Sequence, residues 1–131
     1  MRSITVMRIL LLSALSLAPS MASAVTEDNF RLRTGGDLVE LCAVGDNDPL
    51  RIAAIHMCHG FGAGTYQTIQ ALAGRRELPR LICPPDPPPT RNEAVAAFVT
   101  WARRNSQHLG EPPVDLVGRF LLATYPCPAV K

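Results

Sequence analysis

The chain has 131 residues, 47% of them hydrophobic but only 5% aromatic, with 13 basic residues against 11 acidic ones. The excess of positive charge comes from Arg2 and Arg8, so everything after them is formally neutral. A neutral chain of this length is one small domain, and it lacks the basic field that a nucleic acid or an anionic membrane would need.

The first segment carries Arg2 and Arg8, a ten-residue apolar run from Ile9 to Ala18, and then Ala22-Ser23-Ala24. Basic start, short apolar run and A-x-A site together predict a signal peptide over 1–24, cut after Ala24. The run falls short of the ~20 apolar residues that span a bilayer, so no membrane insertion is expected after cleavage. The expected location is the periplasm. Residues 25–34 are mostly polar, with Phe30 the lone aromatic, and read as a flexible N-terminal arm. Residues 35–131 read as a single helical domain.

Within it, Gly35-Gly36-Asp37 opens a short helix with Leu38, Val39, Leu41 and Cys42 as its apolar side, and Gly45 ends it. Asp48 before Pro49 is an N-cap with proline at the first helical position, and a second helix should run to Gly74-Arg75-Arg76. Its apolar or small residues fall in two adjacent stripes, Leu50, Ala54, Met57, Phe61, Gly64 and Ile55, Cys58, Gly62, Ile69, Leu72. Two stripes predict a mostly buried helix, leaving His56, His59, Gln67 and Gln70 on the remaining face. The stretch "CPPDPPPT", residues 83–90, is neither helix nor sheet interior, because each proline lacks an N–H and has a fixed φ. Thr90-Arg91-Asn92-Glu93 is a capping box that opens a third helix with Val95, Phe98, Val99 and Ala102 on one face. Asn105–Glu111 is a polar loop. Pro112-Pro113 starts a last helix, with Leu116, Val117, Phe120, Leu121 and Thr124 on one side, and Tyr125-Pro126-Cys127-Pro128 stops it. No useful period-2 alternation occurs. The fold class predicted is all-α: a small bundle of about four helices stapled by two disulfides.

The disulfides follow from four cysteines, Cys42, Cys58, Cys83 and Cys127, all beyond the leader of an exported chain. Four cysteines allow three connectivities. An antiparallel packing of the last two helices would bring Cys83 near Cys127 and leave Cys42 for Cys58. The prolines would then stiffen the segment that delivers Cys83.

Three chemical readings compete with these structural ones. His56, Cys58 and His59 suggest a metal, but on a helix Cys58 points about 200° away from His56, and two surface histidines are the simpler reading. Gly60-x-Gly62-x-Gly64 has neither the spacing nor the βαβ setting of a phosphate loop; close helix packing is the expected reason for it. Ser106-Gln107-His108 lacks an orienting acid, with Asp115 as the one available in three dimensions. The chain is therefore read as no enzyme, with no cofactor and no metal.

Gly36-Asp37-Leu38 with Cys42, Cys58-x-Gly60-Phe61-x-x-Gly64, Ile82-Cys83-Pro84 with the Thr90 cap, and Tyr125-Pro126-Cys127 together resemble the Rap/Tai family. The resemblance covers about Gly35 to Pro128. It implies a small periplasmic helical domain, often a homodimer, that acts as an immunity protein. Such a domain inhibits a peptidoglycan amidase effector of type VI secretion by occluding its active site. Two departures stand out: Phe61 where the family often has Tyr, and no His-Pro near Gln107-His108. The alternative is a periplasmic stress or chaperone-like module without a single enzyme target. On the first reading the Asn105–Glu111 loop, fixed at both ends by capped helices, is the candidate contact surface. Gln107, His108 and Leu109 are its partner-binding candidates, Leu109 as an exposed anchor, with the Asp46-Asn47-Asp48 turn as second choice.

Overall fold

The computed structural model describes residues 24–75 and 79–128. The predicted leader, apart from Ala24, and Arg76 lie outside them. Four α-helices form: α1 Gly35–Cys42, α2 Arg51–Arg75, α3 Arg91–Arg104 and α4 Pro113–Thr124. Among the described residues there is no strand, only an isolated antiparallel bridge between Ile82 and Pro126. The predicted all-α bundle is the observed one. No described helix is long and apolar enough to cross a membrane.

Local chemistry explains where each helix starts. The Thr90 hydroxyl accepts from Glu93 N at 3.3 Å while Glu93 Oε2 accepts from Thr90 N at 2.7 Å, the reciprocal box read from the sequence. Thr34 and Asp37 make a second box at the head of α1. Burial by itself would raise the Asp37 carboxyl, but hydrogen bonds from Thr34 and Asn29 outweigh it and hold the group below its ordinary value. Asp48 accepts from Leu50 N at 2.8 Å, so α2 opens two residues after Pro49.

α1 is short, yet it touches α2, α3 and α4 and lies at the centre of the bundle. The larger core joins Leu38 and Val39 to Phe98, Ala102, Leu116, Val117 and Phe120, with Ile82 delivered by the connector. Phe98 meets Phe120 edge-on with ring centroids 5.5 Å apart, a favoured aromatic geometry. The 105–112 connection joins one pair of ends of α3 and α4, and Cys83–Cys127 ties the connector to the other end, so the two helices run antiparallel. Both disulfides pair as the layout predicted, with Cα–Cα separations of 5.2 Å for Cys42–Cys58 and 4.8 Å for Cys83–Cys127. No free cysteine remains.

Three expectations need correction. Residues 25–34, expected as a loose arm, contain a 3-10 turn over Glu27–Arg31, and Val25 is buried with Leu41 and Ala54 in a second cluster. α2 is not mostly buried. Its buried residues are Ala54, Cys58, Thr65 and Ala73, while Ile52, Met57 and Leu72 are exposed. A bundle this small has too little surface to cover a 25-residue helix on all sides, in keeping with the low buried fraction of small domains. Nor do Gly60, Gly62 and Gly64 mark close packing: a Cβ at any of them would meet nothing within 4 Å.

The glycine correction makes a prediction. With open space around them and ordinary helical backbone, Gly60→Ala and Gly64→Ala should each stabilise the protein by up to about 1 kcal/mol, the propensity difference in a helix interior. Urea denaturation midpoints measure this. A lower midpoint in either variant would show that the glycine meets a neighbour after all.

Candidate functional site

Two features stand out on the surface. The first is the loop between α3 and α4. Asn105 ends α3 and its side chain donates to Trp101 O at 2.8 Å; Ser106–His108 form one 3-10 turn. The loop is then clamped from below by α1. Gly35 N donates to Glu111 O at 2.7 Å, and Gly36 N to Leu109 O at 2.8 Å. These are N–H groups of a helix start, which lack intrahelical partners, so the loop satisfies them and is fixed in return.

A side-chain network completes the clamp. His108 Nδ1 donates to Glu111 Oε1 at 2.8 Å, and Arg119 Nε on α4 donates to Glu111 Oε2 at 2.7 Å. Arg119 first and His108 second hold the Glu111 carboxyl below its ordinary value. The sign follows from that shift. A carboxylate depressed in the folded state contributes stability above its unfolded pKa, and loses it as pH falls through the folded one. Acidification from neutral to below about pH 4 should therefore release the loop before the helices melt. Amide exchange at His108 and Leu109, whose N–H groups donate to Asn105 O and Ser106 O, compared with exchange in α4, is the readout; exchange that rises equally in both would remove Glu111 as the local brace.

The three partner-binding candidates thus fall into different roles. Gln107 is exposed; His108 is half-buried and engaged with Glu111. Leu109, expected as an exposed anchor, is half-buried and packs against the larger core. The loop's polarity misled here, because its one leucine faces inward. Asp46, Asn47 and Asp48 lie away from this loop in the turn before α2. Asp46 pairs with Arg51 at 3.0 Å.

The second feature is a cavity of about 400 Å³ enclosed by α1, α2, the proline connector, α3 and α4, lined largely by apolar groups. Pro84, Pro88 and Pro89 form one wall, and Gly62, Tyr66 and His59 the facing one. His59 is therefore not the surface histidine expected. It turns into the bundle, and its Nε2 is buried with no hydrogen-bond partner among the described residues. His56 stays exposed. Cys58 is committed to its disulfide, and no group of three or more His, Cys, Asp or Glu that could hold a metal occurs among the described residues.

No acyl-transfer relay is assembled among the described residues. The acid on His108 is Glu111 rather than Asp115, and no hydrogen bond links Ser106 to His108 among the described residues. The arrangement offers a braced polar loop at one end of α3 and α4 and an apolar recess beside the proline connector at the other.

A family model described as Rap1a immunity proteins matches residues 34–127, from the cap of α1 to the last cysteine. No curated protein and no solved structure matches the chain. The matched span holds all four helices and both disulfides, and oxidised cysteine pairs belong to compartments outside the reducing cytosol.

Proposed function

Since the chain belongs to the Rap1a immunity proteins, we propose that it is a periplasmic, non-catalytic inhibitor of a secreted effector, and that the effector is a peptidoglycan amidase. Family membership over residues 34–127 carries this reading. The braced 105–111 loop supports its finer part. An inhibitor that blocks a hydrolase cleft needs a projection already ordered before contact, because ordering on binding subtracts from affinity. In this protein α1 and Arg119 supply the order. Gln107 at the tip is the contact residue we propose; His108 and Leu109 position it. Val114 and Leu122 expose apolar surface on α4, which suits the proposed homodimer.

The test measures binding of the protein to an exported peptidoglycan amidase. Gln107→Arg should weaken the complex at least about tenfold, or ~1.4 kcal/mol, with the melting temperature unchanged. Equal affinity in the variant would move the contact surface elsewhere. A wild-type protein that neither binds the amidase nor protects cells from it, yet suppresses aggregation of unfolded chains, would favour the stress-module alternative.

A further inference from the structure

Val25 occupies a setting unusual for the first residue of an expected mature chain. The residue is 7% exposed and packs with Leu41 and Ala54, with Phe30 and Leu50 against them. Its backbone nitrogen lies 3.0 Å from Asp48 Oδ2. The other carboxylate oxygen, Oδ1, accepts from Leu50 N at 2.8 Å. Asp48 forms no ion pair among the described residues, since the neighbouring Arg51 goes to Asp46. Ala24, immediately before, is exposed, and it ends the Ala22-Ser23-Ala24 pattern of a leader cleavage site.

We propose that the fold holds a processed N-terminus: hydrolysis of the Ala24–Val25 bond turns the Val25 amide that donates to Asp48 into an ammonium that pairs with it. A leader peptidase supplies the catalysis and water the atoms. The C–N bond breaks, the Ala24 carbonyl carbon takes the hydroxyl, and the Val25 nitrogen takes the remaining hydrogen. The new carboxylic acid ionises and the amine becomes protonated, so the products are a carboxylate and an ammonium. A neutral donor facing Asp48 thereby becomes a charged one, and hydrogen bonds with both partners ionised are shorter and stronger. The ordering cost is small, because burial of the Val25 side chain already fixes the nitrogen. Residues 25–34 run from this anchor to the cap of α1, where Asn29 Nδ2 donates to Asp37 at 3.1 Å. Maturation would thus tighten the tie between the chain start, the head of α2 and the head of α1. The inference rests on the leader expectation and is independent of which effector the protein binds.

Amine chemistry isolates the group, because the sequence has a single lysine, Lys131, as an internal reference. The full chain is exported from bacteria, and intact mass gives its first residue. Acetylation by a succinimidyl ester then gives the rate and the pKa of the α-amine. Pairing with Asp48 should raise that pKa above the ordinary ~7.7–8.0, whereas burial without a partner would lower it. Asp48 is the carboxylate within hydrogen-bond reach of the nitrogen, while Asp46 and Arg51 are occupied with each other. Near neutral pH, a rise of one pKa unit makes the amine react about tenfold more slowly than in a chain with Ser-Gly-Ser inserted after Ala24. Asp48→Asn should remove the difference, and the insertion comparison stands even where that variant does not fold. A first residue other than Val25 overturns both the cleavage site and the pairing. A chain that starts at Val25 with an α-amine titrating at or below the ordinary value overturns the pairing alone.

Discussion

Replacing Cys83 and Cys127 together with alanine is expected to cost about 4 kcal/mol of stability, the chain-entropy value for a closed loop of their span. The two residues lie 44 positions apart, against 16 for Cys42 and Cys58, where the same relation gives about 3 kcal/mol. Two further effects act in opposite directions. The prolines between Cys83 and Thr90 already restrict the unfolded chain, which trims the entropy that the longer bridge removes. Against that, Cys83 N donates to Tyr125 O at 2.8 Å, and Ile82 beside it is 1% exposed. Loss of the bridge therefore frees a buried isoleucine as well as a loop. Small domains have only about 5–15 kcal/mol in total, so the variant should sit near the edge of folding. Urea unfolding of the oxidised protein and of the variant measures the difference. A loss below about 1 kcal/mol would mean that Ile82 and its backbone bridge hold the connector without the sulfur.

The same residues show how much of the fold is legible in the sequence. Cysteine count and position left three connectivities; the assumed antiparallel packing of the last two helices singled out the pairing that the structure shows. Capping chemistry located α3, since Thr90 and Glu93 are three apart and both side chains act locally. The same logic applied to Thr34 and Asp37, a threonine followed at three by an acid, and would have shown that 25–34 leads into a capped helix. Val25 was harder. A single valine at the head of a polar stretch becomes informative only when Leu41 and Ala54 lie beside it.

Periodicity was least reliable on α2. Alanine, glycine and cysteine count as apolar in any stripe, yet they have little side chain to bury, so the pattern overstates how much of the helix is covered. Met57 and Leu72, each placed in one of those stripes, are exposed. The site was legible as a loop but not as a structure. Nothing in the spacing of His108, Glu111 and Arg119 reveals that Arg119 reaches back from α4, because eight residues and a turn separate it from Glu111. Leu109 looked like an anchor only because its neighbours are polar; its carbonyl is in fact held by α1.

Gly35→Ala should be the most damaging glycine substitution in the chain, opposite in sign to the same change at Gly60 or Gly64. A Cβ at Gly35 would lie 2.6 Å from Leu116 Cδ2 and 3.1 Å from Leu116 Cβ. The first contact could be relieved by a rotamer change if space existed, but Leu116 is 0% exposed. The second involves an atom fixed to the α4 backbone, so α1 must withdraw from α4. Overpacking of this kind costs about 1–3 kcal/mol. Leu116→Ala alone should cost about 2–5 kcal/mol by leaving a cavity at the centre of the bundle. In the double variant the new methyl group enters that cavity, and the loss should fall short of the sum of the single losses by at least about 1 kcal/mol. The same displacement reaches the loop, because Gly35 N and Gly36 N hold Glu111 O and Leu109 O. Gly35→Ala should therefore speed amide exchange at His108 and Leu109 under conditions where the helices remain folded, and weaken any partner that needs the loop in place. Leu116→Ala in the same background should restore both. Strict additivity of the two stabilities, with an unaltered loop, would show that α1 and α4 have room to part and that the clamp beneath residues 105–111 is held by Glu111 and Arg119 alone.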